Sequence, residues 1–480
     1  MIEWLRDAWH AFISIPHLGM YVTVVWVIYL VGLCSWIVLQ KREPAATLGW
    51  LLSLAALPYV GFIIYQVFGP QKITRHRLRR GRNRLTLQER RLDEESGESA
   101  ELARLGQRTT GLPPSSARDV RLLIDGAATY AALLEDIRNA REHIHLEYYI
   151  YLPDRTGTAI RDALVERARA GVKVRVLLDA VGSKANPRFF EALIRAGGEF
   201  CWFHPARFGR IWTRTWVNMR THRKIVVIDG RIAYTGGINI TDEENEALRA
   251  DAYRDLHLRI DGDAAHLLQL VFVEDWMYAT QSRDIVAELA RNLPDRRPGP
   301  IPAQVLPSGP DSSWEAIHRL HVGAIHAAVR RVWLVTPYFV PGEAALMALT
   351  SAALGGLDVR LLVPQCSDSR LVTLAARSYY DELMAAGVKI YEYGPRMLHT
   401  KALLVDDDVA MIGTANFDNR SFRLNFEVSM LFHDAGIAAQ LARLIEGEFA
   451  HAPRVRQDRS QSLFSVRLPE AVARLFSPLL

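Results

Sequence analysis

The chain has 480 residues, 49% hydrophobic and 23% charged, with three cysteines. That composition excludes a disordered or low-complexity protein. Cys34, Cys201 and Cys366 stand too far apart for a disulfide framework or a CxxC zinc pattern, and all three read as small buried hydrophobes. The net charge of +5 is uneven: residues 1–84 hold 10 Lys and Arg against 3 Asp and Glu, and the remainder holds 48 against 50. A large, slightly acidic body is a poor match to a nucleic-acid-binding footprint.

In chain order, the first elements are two uncharged apolar runs, Met20–Leu39 and Ala45–Phe68. Each reaches the roughly 20 residues needed to cross a bilayer core, and Trp26, Trp36, Trp50 and Tyr65 add the aromatic character of membrane segments. They predict a two-helix membrane hairpin, with spans at about 20–39 and 45–68 and an anchor reaching residue 84. Pro58 and Gly61 interrupt the second run and predict a kink or a partly re-entrant helix. Lys72, Arg75, Arg77, Arg79, Arg80, Arg82 and Arg84 then mark the cytoplasmic side and attract anionic headgroups. Two spans place both termini there, outweighing Lys41 and Arg42, and make the protein a multi-pass cell-membrane protein with a cytoplasmic body. Residues 85–118 read as a helical or flexible linker.

From residue 119 onward, strand-like runs alternate with helical patterns, which predicts an α/β fold with mixed sheets. The body is internally repeated: residues 144–150 resemble 332–338, 174–178 resemble 359–363, and 196–200 resemble 386–390. The expected halves are 119–300 and 301–480.

One motif recurs in both. His222-Arg-Lys224, with Asp229 and then Gly236-Gly-Ile-Asn239, is matched by His399-Thr-Lys401, with Asp406 and then Gly413-Thr-Ala-Asn416, at a constant offset of 177. One H-x-K-x4-D match is weak; two copies with Gly and Asn at the same distances are not. Side chains at i and i+2 of a strand share a face, so His and Lys project together. A hairpin then returns the Asn beside them. Lys and Asn can hold phosphate oxygens, which leaves His as nucleophile or proton carrier. Asp229 and Asp406 complete the two catalytic sets, where they fasten the hairpins or pair with cations more readily than they react. A carboxylate follows each copy, Asp255 and Glu427, to orient the imidazole. The expected pairing is Asp255 with His222 and Glu427 with His399.

These paired motifs resemble those of the phospholipase D superfamily, and more narrowly those of bacterial cardiolipin synthases. The supporting stretches include His145-Leu-Glu-Tyr-Tyr-Ile, Arg254-Asp-Leu-His, Thr336-Pro-Tyr-Phe-Val-Pro, Asn416-Phe-Asp-Asn-Arg-Ser-Phe and the terminal Ser477-Pro-Leu-Leu. The resemblance covers essentially the whole chain and implies duplicated α/β/α sandwich domains. It implies phosphatidyl transfer between two phosphatidylglycerol molecules through a covalent phosphohistidine, with no metal or other cofactor. By that analogy His222 is the nucleophile and His399 the acid/base. Lys224, Lys401, Asn239 and Asn416 hold the phosphate. The alternatives are a hydrolase of the same superfamily, a synthase using another alcohol, a membrane-tethered nuclease and a non-catalytic scaffold. The double anchor and the near-neutral body disfavour nucleic acid, and the intact motifs disfavour a scaffold. The oligomeric state is not legible.

The first half also carries 13 extra residues just before His222, where Phe208, Ile211, Trp212 and Trp216 alternate with Arg207, Arg210, Arg214 and Arg220. Aromatic and basic groups together suit a lipid interface.

Overall fold

The computed structural model describes residues 16–39, 44–69, 98–204, 219–290, 296–456, 459 and 462–480. The aromatic-basic insertion up to residue 218 and the basic cluster at 72–84 lie outside the described residues. The N-terminal helices form one compact unit, and the chain from Glu98 onward belongs to a second.

In the first unit, Leu18–Leu39 is a 22-residue helix, long and apolar enough to cross a membrane. The second apolar run departs from the single span expected at 45–68. It forms two short helices, Pro44–Ala56 and Pro58–Phe68, of 13 and 11 residues. Pro58 has no N–H to donate, and the residue before a proline is pushed out of the α region. Leu57 accordingly sits at φ −133° and ψ 70°. The chain then doubles back. The rings of Trp50 and Tyr65 pack edge-on with centroids 5.2 Å apart, whereas a continuous helix would separate these residues by roughly 22 Å. Gly61 is required at the crossing, because a Cβ there would lie 2.6 Å from the Ser53 carbonyl oxygen. Neither short helix reaches spanning length.

The second unit holds two sheets of matching topology. The first runs, in spatial order, Asp119–Ile124, Leu256–Asp261, Ile232–Gly236, Ile225–Ile228, His143–Tyr148, Lys173–Asp179 and Glu199–Phe203. The second runs Ser115–Ala117, Ile301–Ser308, Glu427–His433, Val409–Gly413, Ala402–Val405, Arg331–Val335, Asp358–Pro364 and Lys389–Tyr393. Without its first short strand, the second order repeats the first strand for strand. Both sheets are mixed: His143–Tyr148 pairs parallel with Lys173–Asp179 and antiparallel with Ile225–Ile228, and Arg331–Val335 does the same with its counterparts.

Helices Asp125–Asn139 and Arg155–Arg169 cover the outer face of the first sheet, burying Leu133, Ile137 and Leu164. Helices Ala316–Ala327 and Glu343–Leu354 do so for the second. A central core joins the inner faces. There Val227 and Leu258 of one half and Val305, Leu404 and Val428 of the other pack with helices Asp263–Thr280 and Ala435–Phe449. Part of the stretch read as a linker belongs to this unit. Leu102 on helix Glu98–Thr110 lies in the second half's outer core, and Ser115–Ala117 extends that half's sheet. Cys34 and Cys201 are half-buried, but Cys366 departs from the expected burial: it is exposed in the loop after Asp358–Pro364.

Candidate active site

Each motif histidine stands just before an inner strand and is clamped by the opposite half. The backbone N–H of His222 donates to Phe426 O at 2.8 Å, and that of His399 donates to Arg254 O at 2.7 Å. The residue before each histidine makes a parallel bridge, Thr221 with Phe426 and Leu398 with Arg254. The next residues along those opposing segments are Glu427 and Asp255.

This geometry reverses the expected pairing of carboxylates. His222 Nδ1 donates to Glu427 Oε2 at 3.0 Å, and His399 Nδ1 donates to Asp255 Oδ2 at 2.6 Å. The bridges are the physical reason, because they place each acid beside the histidine of the other half. Both histidines, both lysines and both acids are buried. With Nδ1 engaged, each imidazole keeps Nε2 for chemistry.

Lys224 Nζ donates to His222 O at 2.9 Å. Lys401 Nζ donates to His399 O and lies 2.8 Å from His399 Nδ1 and 3.6 Å from Asp255 Oδ2. Burial pushes Lys224 down to about 7, helped by the charge of Lys401. Burial also lowers Lys401, against the pull of Asp255. It lowers His222, which Glu427 partly restores, and lowers His399 well below the usual range, with Lys401 adding to the effect. Burial raises Asp255 to about 6, against Lys401. Glu427 is held below the ordinary range: burial opposes its charge, but His222, Lys224 and the Thr414 hydroxyl outweigh it. A pocket that crowds two lysines and two imidazoles is one that a phosphodiester anion would relieve.

Asp229 and Asp406 take no part in this pocket. They lie at the far ends of their strands, at φ 52° and 49°. The Asp229 carboxylate accepts from the N–H groups of Arg141, Glu142 and His143, and that of Asp406 from Val329, Arg330 and Arg331. Each therefore fastens the motif strand to its neighbour, and the carboxylates bond these N–H groups rather than the side chains of His222 or His399.

The asparagines are less alike than their spacing suggests. Asn239 Nδ2 donates to Glu244 Oε1 at 2.7 Å, so only its second N–H is left for a phosphate. Asn416 is buried and its side chain hydrogen-bonds Asp418. Both backbone N–H groups donate to the side chain five residues on, Glu244 in one half and Ser421 in the other. Glu244, Asp255 and His399 offer ligand atoms within 4.8 Å of one another, the one potential metal-binding trio among the described residues. Here a proton between His399 and Asp255 and the Asn239 donors already serve those atoms.

Sequence reasoning missed Glu244, since nothing in its spacing marks it. It also missed Asp179, which accepts from the Thr221 N–H at 3.2 Å and so steadies the residue before His222. Glu147 accepts from the Thr221 hydroxyl at 2.5 Å. His257 is fully buried behind Gly236, neither ring nitrogen has a partner among the described residues, and burial pushes it down to about 3.

Two His–Lys sets, each completed by a carboxylate from the other half, define a phospholipase D-type phosphodiester site. The family described as "Cardiolipin synthase, PLD-like domain" matches residues 133–276 and 322–449, and "Phospholipase_D-nuclease N-terminal" matches residues 22–70. Cardiolipin synthase of Geobacillus kaustophilus is 40% identical over 457 residues, covering 92% of this chain and 90% of that protein. Cardiolipin synthase 2 of Bacillus anthracis is 40% identical over 463 residues, covering 92% and 88%. Phosphatidylserine synthase of Haemophilus influenzae Rd KW20 shares the fold, with a TM-score of 0.62 at 15% identity over 79% of this chain and 100% of that one. The chain belongs to the cardiolipin synthase family, and with both motifs intact it is a phosphatidyltransferase.

Proposed function

We propose that the enzyme makes cardiolipin and glycerol from two molecules of phosphatidylglycerol. His222 Nε2 attacks phosphorus; the N–P bond forms as the P–O bond to glycerol breaks, and His399 gives its proton to the departing oxygen. The terminal hydroxyl of a second phosphatidylglycerol then passes its proton to His399 and attacks phosphorus. The new O–P bond forms, the N–P bond breaks, and His222 is regenerated. Lys224 and Lys401 neutralise the phosphate oxygens. The observation that carries this reading is the crossed pairing: two buried imidazoles, each held at Nδ1 by a carboxylate, in one site. The order of roles follows the family analogy: burial and Lys401 hold His399 well below the usual range against the pull of Glu244, and Glu427 is shared between His222 and Thr414 Oγ1.

The same reading divides the chain into an anchor at 1–84, a linker that ends before Glu98, and catalytic halves at 119–300 and 301–480, with Glu98–Thr110 and Ser115–Ala117 joined to the second half. Leu18–Leu39 crosses the cell membrane, and the doubled-back helices Pro44–Phe68 enter and leave on one side. Lys41, Arg42 and the cluster at 72–84 then share the cytoplasmic face with the catalytic body, and among the Lys and Arg residues flanking the anchor only Arg6 opposes the positive-inside rule.

The test is to quench turnover in alkali, which strips acyl chains but preserves a phosphoramidate, and to map the peptide carrying glycerophosphate. Label on the peptide containing residue 222, accumulating in His399→Asn, is expected. Label on the residue-399 peptide instead reverses the assignment, and none on either removes the covalent intermediate.

A further inference from the structure

The last nineteen residues hold three consecutive helical segments, Leu463–Arg467, Leu468–Arg474 and Ser477–Leu479. Two of their polar side chains face inward. Glu470 is buried and pairs with Arg459 at 2.9 Å, and buried Ser477 accepts from the Tyr379 hydroxyl at 3.0 Å. Ala473 is buried with them, but six larger apolar side chains face outward: Phe464 is 79% exposed, Leu475 78% and Leu463 59%, with Leu468, Val472 and Phe476 also exposed. Phe464, Leu468, Val472 and Leu475 fall at i, i+4, i+8 and i+11, one face of a helix. A contiguous apolar stripe of this kind on a folded protein marks an interaction surface.

We infer that this stripe lies in the surface of an anionic phospholipid bilayer and is a membrane contact separate from the N-terminal helices. The basic charges beside it are exposed Arg467 and Arg474, whose guanidinium stacks 4.3 Å from the Tyr379 ring centroid and pairs with Glu382 at 3.5 Å. Apolar residues flanked by arginine form an interfacial helix that sinks to the headgroup boundary. The stripe is fixed to the catalytic site. Asn419 Nδ2 donates to Ser477 O at 3.1 Å, and the Arg420 N–H donates to Leu480 O at 3.0 Å. Asn419 and Arg420 follow Asn416 closely in the chain, and the charge of Arg420 acts on Tyr149, whose ring packs edge-on against His222 at 4.9 Å. A segment seated in the headgroups thus holds the phosphate-binding segment at the depth where diester phosphates lie. The inference rests on the lipid-transferase reading for its purpose but not for its test.

The full chain, with Cys34, Cys201 and Cys366 replaced, is reconstituted in vesicles of phosphatidylglycerol and phosphatidylcholine. Spin labels are placed singly at Phe464→Cys, Leu475→Cys and, as an aqueous reference, Glu191→Cys. Collision with oxygen and with a water-soluble nickel chelate gives depth. Labels at 464 and 475 are expected about 5–10 Å below the phosphate plane, open to oxygen and shielded from nickel, with label 191 in water. Nickel access at 464 and 475 equal to that at 191 overturns the inference. So does protection from both reagents, which means that protein, a second copy or this chain's own helices, covers the stripe. Turnover of phosphatidylglycerol in the same vesicles reads the lipid activity separately, and shows that the labelled proteins are folded.

Discussion

Burial and like charge fix the working pH range of the site. In the free enzyme Lys224 titrates at about 7 and Asp255 at about 6. Above the first value Lys224 loses the charge that holds phosphate; below the second, protonated Asp255 no longer accepts from His399 Nδ1 as a carboxylate and orients the ring less well. The expected kcat/KM profile is therefore a narrow bell with limbs near these two values, because kcat/KM reports free-enzyme ionisations. In kcat the alkaline limb moves up, since the bound diester anion favours charged Lys224. A flat kcat/KM profile between pH 5 and 8 would contradict this. At the same scale, Gly237 has no room for a side chain: a Cβ there would lie 2.1 Å from Asp255 Oδ1. Gly237→Ala should displace the carboxylate behind His399 and lower kcat by about 100-fold, with little change in thermal midpoint. The equivalent position in the other half is Thr414, whose hydroxyl instead donates to Glu427 at 2.5 Å. The His, Lys and acid residues were legible from spacing alone. Which acid serves which histidine was not, because the answer lies in bridges between segments over 140 residues apart. Glu244 was hidden for a similar reason: five residues past Asn239, it becomes part of the site only when the loop folds back.

Among the elements, the motif strand depends on its far end. Asp229 gathers three backbone N–H groups at a positive φ, where an aspartate is tolerated and an alanine is strained. Asp229→Ala should lower stability by about 1–3 kcal/mol, seen as a reduced thermal midpoint. Activity of the remaining folded enzyme should fall far less than in His222→Ala. Loss of activity at unchanged stability would place Asp229 in the chemistry instead. The second apolar run shows where composition misleads. Its length and hydropathy fit a span, but Pro58 removes a donor in mid-helix, and Gly61 permits a crossing that only a bare backbone can make. The two residues that marked the interruption were visible in the sequence; the reversal of direction was not, since it depends on Trp50 finding Tyr65.

For the molecule as a whole, the constant offset of 177 between motifs announced a duplication, and the matching strand orders are its structural form. What the offset does not carry is the exchange between the halves. Each supplies the carboxylate that orients the other's histidine, so neither half contains a complete catalytic set. The terminal helices were equally hard to read. Leu, Phe and Arg in that stretch suit an ordinary packed helix, and only the burial of Glu470 and Ser477 reveals that the apolar side faces out.

The central claim is that both histidines serve one transfer with lipid as acceptor. The most direct measurement is mass spectrometry of the lipids formed when the membrane-embedded full chain is given phosphatidylglycerol alone, beside His222→Ala and His399→Ala. Cardiolipin and free glycerol in equal amounts, lost in both variants and unaffected by chelator, are the expected result. Phosphatidic acid as the main product would make water the acceptor, and cardiolipin persisting in either variant would contradict the two-histidine site.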